Sequence, residues 1–387
     1  MTRLWPRSNP ADIPFAGQEE PEVAFRAVRR AAADLAAGMP ILLQGGEGGV
    51  VLAVETLTQR ALGEFLALAG APPLLLLAPA RAAAILRRRP EEAGVGAGVV
   101  GLDLGENPLD PELLLRLADP TAGEPALKPG LAASPDLPAW APAALALAKQ
   151  ARLLPALLAA PGRPEEGALA ARLQILSVAA ADVLASVESG PLHLQRVSEA
   201  HVPLEAASDS RIVAFRVRET GAEHLAILIG RPEERAAPLV RVHSECFTGD
   251  LLGSLRCDCG AQLRGAMARI AEEGAGALLY LAQEGRGIGL TNKLRAYRLQ
   301  EGGLDTVDAN RALGWGKDER NHGLAAAILD DLGLKTVRLL TNNPEKLSKL
   351  SALGIEIVER VPLVYPPNGV NDSYLETKSS RLGHLLS

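Results

Sequence analysis

Short apolar segments alternate with amphipathic helices in the second half of the chain, and this alternation limits the folds that it can adopt. Apolar residues recur at helical spacing over 263–271 and over 324–332, and each run is followed by a glycine. Buried strands are predicted at 239–242, 277–281, 336–340 and 355–361. Strands that alternate with helices predict an α/β fold whose sheet is at least partly parallel.

The two halves of the chain differ sharply in chemistry. All six histidines and all three cysteines lie in residues 193–387, and the preceding residues contain neither. We therefore predict a domain boundary near Gly190, with a separate α/β domain at 1–190 and a catalytic domain at 191–387. In the first domain we predict helices at 22–37 and 168–187, strands at 40–43, 50–54 and 73–77, and loops with short helices over the proline-rich stretch 107–164.

Charge and hydropathy exclude several classes of function. The net charge is −6 and there is no basic block, which argues against a dedicated nucleic-acid partner. The longest uncharged apolar stretch, 65–80, is shorter than the ~20 residues that a membrane helix needs and contains three prolines. The first ten residues lack the apolar core of a signal peptide, so we expect a cytoplasmic protein.

The three cysteines, Cys246, Cys257 and Cys259, lie within 14 residues in the pattern Cys-x10-Cys-x-Cys. An odd, clustered set indicates a metal site or reactive thiols and not a disulfide framework. Three zinc ligands with one open position are typical of catalytic zinc, which lowers the pKa of bound water to about 7. Two alternatives remain at this point: a structural site closed by His243, or three unrelated buried thiols.

Three further motifs could bind phosphate, although each is weak alone. The segment 283–289 follows a predicted strand and combines three glycines with Arg286, whose planar guanidinium can clamp phosphate. Asn343 and Pro344 begin a predicted helix whose N-terminus favours anions, with Lys346 in its first turn. Asp318 and Arg320 alone would be an ordinary solvated pair. Together with the cysteines, these motifs favour a metal-dependent nucleotide hydrolase.

The sequence motifs closely resemble those of GTP cyclohydrolase II of riboflavin biosynthesis over roughly residues 193–387. The resemblance rests on RVHSEC at 241–246, SLRCDCG at 254–260, QEGRGIG at 283–289, NKLRAY at 292–297, DT at 305–306, LTNNP at 340–344 and ERVP at 359–362.

This resemblance implies a homodimeric α/β zinc enzyme that also uses Mg²⁺. Such an enzyme opens the imidazole ring of GTP, releases formate and pyrophosphate, and yields 2,5-diamino-6-ribosylamino-4(3H)-pyrimidinone 5′-phosphate. Alternatives are a nucleotide-binding regulatory homologue and a relative recruited to pyrimidine catabolism.

The resemblance also implies roles for individual residues. Cys246, Cys257 and Cys259 match the zinc ligands, Asp318 matches the proton acceptor, Arg320 matches a proposed nucleophile on the α-phosphate, and Tyr297 matches a tyrosine close to the reacting ring. Arg320 could instead stabilise charge. The matched GTP contacts are Arg241, Val242, His243, Ser244, Glu245, Gln262, Glu284, Gly285, Arg286, Thr306, Thr341 and Lys346.

The first half loosely resembles the start of 3,4-dihydroxy-2-butanone 4-phosphate synthase around 27–57. That family needs an acidic metal-binding loop and a histidine. Here the loop offers only Glu47 among glycines, and no histidine precedes His193. We therefore expect residues 1–190 to be a degenerate relative or a structural domain without catalytic activity.

Overall fold

A computed structural model describes residues 20–87, 98–163, 166–188, 193–218 and 220–385. The predicted boundary at Gly190 lies outside these residues. No helix in the described ranges is long and apolar enough to cross a membrane.

The first half forms one seven-stranded sheet with helices on both faces. Its strands are β1 (Ile41–Gln44), β2 (Gly49–Ala53), β3 (Leu74–Leu77), β4 (Val100–Asp103), β5 (Ala132–Ala133), β6 (Ala156–Pro161) and β7 (Ser177–Ala179). Its helices are α1 (Glu20–Ala36), α2 (Gln59–Leu68), α3 (Pro79–Leu86), α4 (Pro111–Ala118), α5 (Ala141–Gln150), α6 (Glu166–Leu173) and α7 (Ala180–Glu188). The strand order is β5-β4-β3-β6-β2-β1-β7, and only the β1–β7 pair is parallel.

Two of our predictions for this half are wrong in part. The stretch 107–164 contains β6, which lies at the centre of the sheet, as well as α4 and α5. The helix predicted over 168–187 is interrupted by β7, which pairs with β1. In both cases short apolar segments take strand geometry because the sheet supplies their backbone hydrogen bonds, which local spacing does not reveal.

The second half forms a separate mixed sheet of seven strands. Its strands are β8 (Leu194–His201), β9 (Ser210–Val217), β10 (Glu223–Ile229), β11 (Leu239–Ser244), β12 (Gly276–Leu281), β13 (Thr336–Leu340) and β14 (Glu356–Val361). Its helices are α8 (Cys259–Glu272), α9 (Leu290–Glu301), α10 (Thr306–Ala312), α11 (Gly323–Asp331), α12 (Pro344–Ala352) and α13 (Asp372–Ser380). The strand order is β14-β13-β11-β12-β10-β9-β8. Strands β14, β13, β11 and β12 run parallel, and β10, β9 and β8 continue antiparallel, so the predicted partly parallel sheet is confirmed.

The parallel part of this sheet determines where the predicted site residues meet. Strands β11, β12 and β13 are neighbours, and their carboxyl ends lead into the segments that begin near Glu245, Ala282 and Thr341. In open α/β sheets this edge is where ligands bind, because the connecting loops converge there. The fold therefore brings the cysteine segment, the 283–289 loop and the 341–346 turn to one place.

The two halves share one apolar core. Side chains from α9, α10 and the adjoining loops pack among leucines and alanines of the first sheet and its helices, among them Ile288, Ala296, Leu313 and Trp315. These four side chains are between 1% and 4% exposed. The second half thus uses the first as a packing surface for two of its helices.

Candidate active site

Three thiols form the centre of the site. Cys246 follows β11, and Cys257 and Cys259 lie at the start of α8. Their sulfur atoms lie within 4.8 Å of one another, and no other ligand atom of the described residues joins the group. Gly249 explains how the loop fits around them, because a Cβ there would lie 2.8 Å from the Cys257 sulfur and 3.1 Å from that of Cys246. The geometry is that of a soft, three-thiolate metal site.

The thiols titrate as a coupled set. Hydrogen bonds with Cys257 and Cys259 lower the pKa of the Cys246 thiol, and Lys293 adds to this effect. The bond with Cys246 raises the pKa of Cys257 to about 11 and that of Cys259 well above its ordinary value. A divalent cation would remove these opposing shifts, because it favours the thiolate form of all three side chains.

Lys293 is a site residue that our sequence reasoning missed. Its ammonium donates to the Cys246 sulfur at 3.0 Å and to Glu284 Oε1 at 2.9 Å, and its side chain is 11% exposed. Glu284 also accepts a hydrogen bond from the backbone N–H of Phe247 at 2.7 Å. The signal in the sequence was its place in the NKLRAY motif, four residues before Tyr297, although no role was assigned to it.

His243 lies in a different environment from the thiols. Its Nε2 is 3.1 Å from both carboxylate oxygens of Asp250, and its ring stacks on Tyr280 with 5.7 Å between centroids. Burial lowers the pKa of His243, so the ring is held neutral. Neither ring nitrogen joins the three-thiol group, although Nδ1 is buried without a hydrogen-bond partner, so the alternative in which His243 closes a structural zinc site is not supported.

A cationic wall lines the same pocket as the thiols. Arg241 is 6% exposed and donates to the carbonyl of Leu340 at 2.9 Å, and it also donates to Gln262 Oε1. Lys346, 8% exposed, donates to the carbonyl of Val242 at 2.9 Å. Burial lowers the pKa of Lys346 well below its usual value, and the charges of Arg320 and Arg241 add to that shift. An anionic ligand would stabilise these side chains.

The Asp318–Arg320 pair is buried, so its interpretation as a solvated surface pair is wrong. The two side chains are 9% and 13% exposed, and Arg320 Nη2 lies 2.5 Å from Asp318 Oδ2. Burial would raise the pKa of Asp318, but the pairing outweighs it and holds that pKa well below the usual range. Burial lowers the pKa of Arg320, and the bonds to Asp318 again prevail and raise it.

The 283–289 loop is strained where it meets this pair. Gly285 and Arg286 have φ values of 62° and 65°. This left-handed backbone conformation is sterically unfavourable for Arg286, because it carries a Cβ that glycine lacks. The Arg286 carbonyl accepts the N–H of Glu319 at 3.0 Å, which ties this loop to the Asp318 segment. Such strain favours a ligand-binding loop over a plain turn.

Most of the predicted site residues line one pocket. Besides the three cysteines, these are Arg241, His243, Ser244, Glu245, Gln262, Glu284, Gly285, Arg286, Tyr297, Thr306, Arg320, Thr341 and Lys346. Val242 does not line it, because alternation along β11 turns its side chain into the core. Asp318 does not line the pocket itself, but it is paired with Arg320, which does. The predicted helix start is confirmed, since Asn343 Oδ1 accepts the N–H of Glu345 at 3.0 Å.

Comparison with known proteins agrees with this geometry. Residues 195–362 match the family model described as GTP cyclohydrolase II. The chain is 47% identical over 372 residues to GTP cyclohydrolase-2 of Azospirillum brasilense, covering 94% of this chain and 95% of that one. The chain belongs to the GTP cyclohydrolase II family. It is an α/β hydrolase of that family, and its three-cysteine group is compatible with zinc.

Other members match the second half alone. GTP cyclohydrolase-2 of Shigella boydii is 53% identical over 196 residues, which is its full length and 51% of this chain. The riboflavin biosynthesis protein RibBA of Bacillus mycoides is 58% identical over 165 residues, 43% of this chain and 42% of that one. Among solved structures, a two-domain 3,4-dihydroxy-2-butanone 4-phosphate synthase from A. baumannii covers 87% of this chain and 99% of its own at 19% identity, with a TM-score of 0.33.

Proposed function

We propose that the protein is a zinc-dependent GTP cyclohydrolase II of riboflavin biosynthesis. It opens the imidazole ring of GTP, releases formate and pyrophosphate, and yields 2,5-diamino-6-ribosylamino-4(3H)-pyrimidinone 5′-phosphate. The observation that carries this proposal is one pocket lined both by three clustered thiols and by a wall of arginine and lysine. A purine nucleotide with a long anionic tail needs both features at once.

The cysteines fit zinc by number, donor type and spacing. Three thiolates with sulfur atoms within 4.8 Å leave one position free for a reactant, as in catalytic zinc sites. Bound there, zinc supplies an activated water at neutral pH. Lys293 and Glu284 hold Cys246 in place, and Tyr297 lies beside them with its ring 5.7 Å from the Lys293 ammonium. We assign the guanine ring to this end of the pocket.

The opposite end suits the triphosphate. Arg241, Lys346 and Arg320 are buried cations, and Arg286 lies on the strained loop beside them. Desolvated cations of this kind bind phosphate oxygens strongly, and Mg²⁺ would share the remaining charge. We assign Thr306 and Thr341, which line the same pocket, as further GTP contacts.

Arg320 acts by charge in this proposal. A nucleophilic arginine must first lose a proton, whereas the bonds to Asp318 raise its pKa. A charged guanidinium instead stabilises the negative charge that develops when pyrophosphate leaves. Asp318 orients that guanidinium through bonds to Nε at 2.8 Å and Nη2 at 2.5 Å. The proton-acceptor role of Asp318 remains a prediction.

The test is incubation of the purified protein with GTP, Zn²⁺ and Mg²⁺, with formate, pyrophosphate and the pyrimidine product each measured. We expect all three in equal amounts. Nucleotide binding without turnover would contradict the proposal and favour a regulatory homologue. We also propose, from the resemblance, that the protein works as a cytoplasmic homodimer.

A further inference from the structure

The C-terminal segment forms part of the pocket wall. Residues 363–385, which include α13, follow β14 and are called the strap here. The strap lies beyond the segment 195–362 that matches the family model. Yet three of its side chains, Tyr374, Lys378 and His384, line the same pocket as the thiols and the cationic wall.

Leu363, where the strap begins, exchanges two hydrogen bonds with Asn342, and three further tethers hold the rest of the strap against the site. The Asn368 side chain donates to the carbonyl of Leu255 at 3.0 Å, in the loop that leads to Cys257. Near the other end, the N–H of Leu385 donates to the carbonyl of Asn342 at 2.8 Å, beside Thr341. Each tether therefore ends on a segment that carries a predicted zinc or GTP residue.

The third tether is an ion-pair cluster at the start of α10. Arg381 bonds to Asp305 and, at 3.0 and 3.1 Å, to the two oxygens of Asp308. Thr306, a predicted GTP contact, lies between these two carboxylates in sequence. The side chains of Arg381 and Asp308 are 39% and 43% exposed, so the pairs are weak and can release and reform.

Lys378 is the charged residue that the strap contributes to the lining of the pocket. It is 6% exposed, and its ammonium donates to Asp258 Oδ1 at 2.6 Å. Asp258 Oδ2 accepts from Gln262 at 2.5 Å, and Gln262 in turn accepts from Arg241. Lys378 is thus linked through two side chains to a residue of the cationic wall.

The charges around Lys378 indicate what it binds. Lys346 is buried, and the charge of Lys378 contributes to its lowered pKa; Arg241 is buried at the far end of the Asp258–Gln262 link. A single carboxylate, Asp258, is bonded to Lys378. A surplus of buried cations is stabilised by a multiply charged anion, and the phosphate chain of a nucleoside triphosphate is the anion that the pocket is built around.

We propose that the strap is a cover of the nucleotide pocket and that Lys378 is a binding residue for the phosphate chain of GTP. The cover opens when the Arg381 pairs and the Lys378–Asp258 pair release, admits GTP, and closes with Lys378 against the phosphates. This inference rests on the proposed GTP reaction, and the experiments below separate the two.

The first experiment measures GTP turnover in Lys378→Gln, Lys378→Arg and the control Lys335→Gln. Lys335 is 71% exposed and pairs only with Asp330 at 3.0 Å. Losing one charge-assisted bond to phosphate is expected to raise KM about tenfold or more, with a smaller change in kcat. Lys378→Arg keeps the charge and should restore most of the affinity. Zinc content should equal that of the wild type in every variant.

The second experiment uses the wild-type protein and limited trypsin digestion. Cleavage after Arg381 releases residues 382–387, which mass spectrometry detects. We expect an α,β-methylene analogue of GTP, with Mg²⁺, to slow this cleavage at least severalfold, because the bound nucleotide holds the cover closed. Inorganic phosphate at the same concentration should protect less.

The outcomes are distinguishable. Absence of GTP turnover in the wild type contradicts the proposed function. Turnover with an unchanged KM in Lys378→Gln contradicts the role of Lys378. Cleavage after Arg381 that is equally fast with and without the analogue contradicts the cover. If Lys378→Gln does not fold, the KM of Lys378→Met tests the role of Lys378 in its place, and the digestion of the wild type still tests the cover.

Discussion

At the scale of single residues, the pocket contains a thiol cluster and a cationic wall, and a single substitution can disrupt either one while the other stays intact. Cys259→Ser takes one thiolate from the metal cluster and leaves the cationic wall intact. We expect this variant to lose most of its zinc and its formate release while it still releases pyrophosphate, because Arg320 and Mg²⁺ remain. Elemental analysis and separate assays for the two products check this.

The reciprocal variant is the control. Arg320→Gln should retain zinc, because the hydrogen bonds of Arg320 go to Asp318 and Ser244 and not to a thiol. The rate of pyrophosphate release should fall by about two orders of magnitude or more, which is the usual cost of losing one transition-state donor. Loss of both products in well-folded Cys259→Ser would instead show one obligatory sequence that starts at the metal.

His322 gives a residue-scale prediction about pH. Burial and then the charge of Arg320 lower its pKa to about 4, whereas an unfolded histidine titrates near 6.5. The unfolded chain therefore binds the proton first, and the free energy of unfolding should fall as pH drops from about 6.5 to 4. His322→Gln should reduce the slope of the free energy of unfolding against pH, by at most the contribution of one bound proton. Urea unfolding across that pH range measures the slope, and identical slopes would contradict the assignment.

The residues that carry the chemistry were predictable because their motifs are contiguous in sequence. Cys257 and Cys259 are separated by a single residue, so their spacing indicates a shared site, whereas Asp318 and Arg320 were matched only through the family resemblance. Lys378 and the Asp250 partner of His243 lie outside these motifs, and Lys293 lies inside one without a signal for its role. Each acquires its role from a contact across the fold, such as that of Lys378 with Asp258, 120 residues earlier.

At the scale of elements, helix α9 carries Lys293 and Tyr297 into the site, and its other face is bonded to the first half. Arg295 donates to Glu55 at 2.9 Å and to Asp119 at 2.8 Å, with all three side chains 8–17% exposed. Arg295→Met would leave two buried carboxylates without their cation. We expect a loss of about 3–5 kcal/mol in the free energy of unfolding.

Arg298→Met is the matched control, because Arg298 is exposed on the same helix. Its urea midpoint should stay close to that of the wild type, since exposed changes away from packed features cost little. If the midpoint of Arg295→Met moved no further than this control, the two carboxylates would not depend on Arg295.

Elements with a clear period were predictable, and those whose pairing is decided at long range were not. Helix α1 and strands β11 to β14 follow the expected spacing closely. Strand β6 is a short apolar run between prolines that takes its place only when β2 and β3 pair with it. Strand β8 is exposed over nearly its whole length, so it lacks the apolar alternation that marks a half-buried strand.

At the scale of the whole molecule, the first half should be catalytically silent. We expect no 3,4-dihydroxy-2-butanone 4-phosphate from the full chain given ribulose 5-phosphate and Mg²⁺. Rearranging that sugar needs carboxylates for the metal and a group that moves protons near neutral pH. Glu47 is exposed in the β1–β2 turn, and this half has no histidine. Product formed by a preparation free of the synthase would overturn the assignment.

The shared core indicates that the first half stabilises the second, and truncation of the chain can test this. Residues 193–387 alone should keep GTP turnover, because the pocket is lined entirely from the second half and the Shigella relative matches that half over its full length. Removing the first half exposes Ile288, Leu313 and Trp315, so we expect a lower urea midpoint and a tendency to associate.

Trp315 reports on this change directly, because it is the only tryptophan left after truncation and is 4% exposed in the full chain. Its emission should shift to longer wavelength in the shortened protein. An unchanged emission maximum and midpoint would show that the shared core adds nothing to stability. A well-folded truncation without turnover would mean that the contacts of Glu55 and Asp119 with α9 are required to position Lys293 and Tyr297 for the reaction, and not only to stabilise the fold.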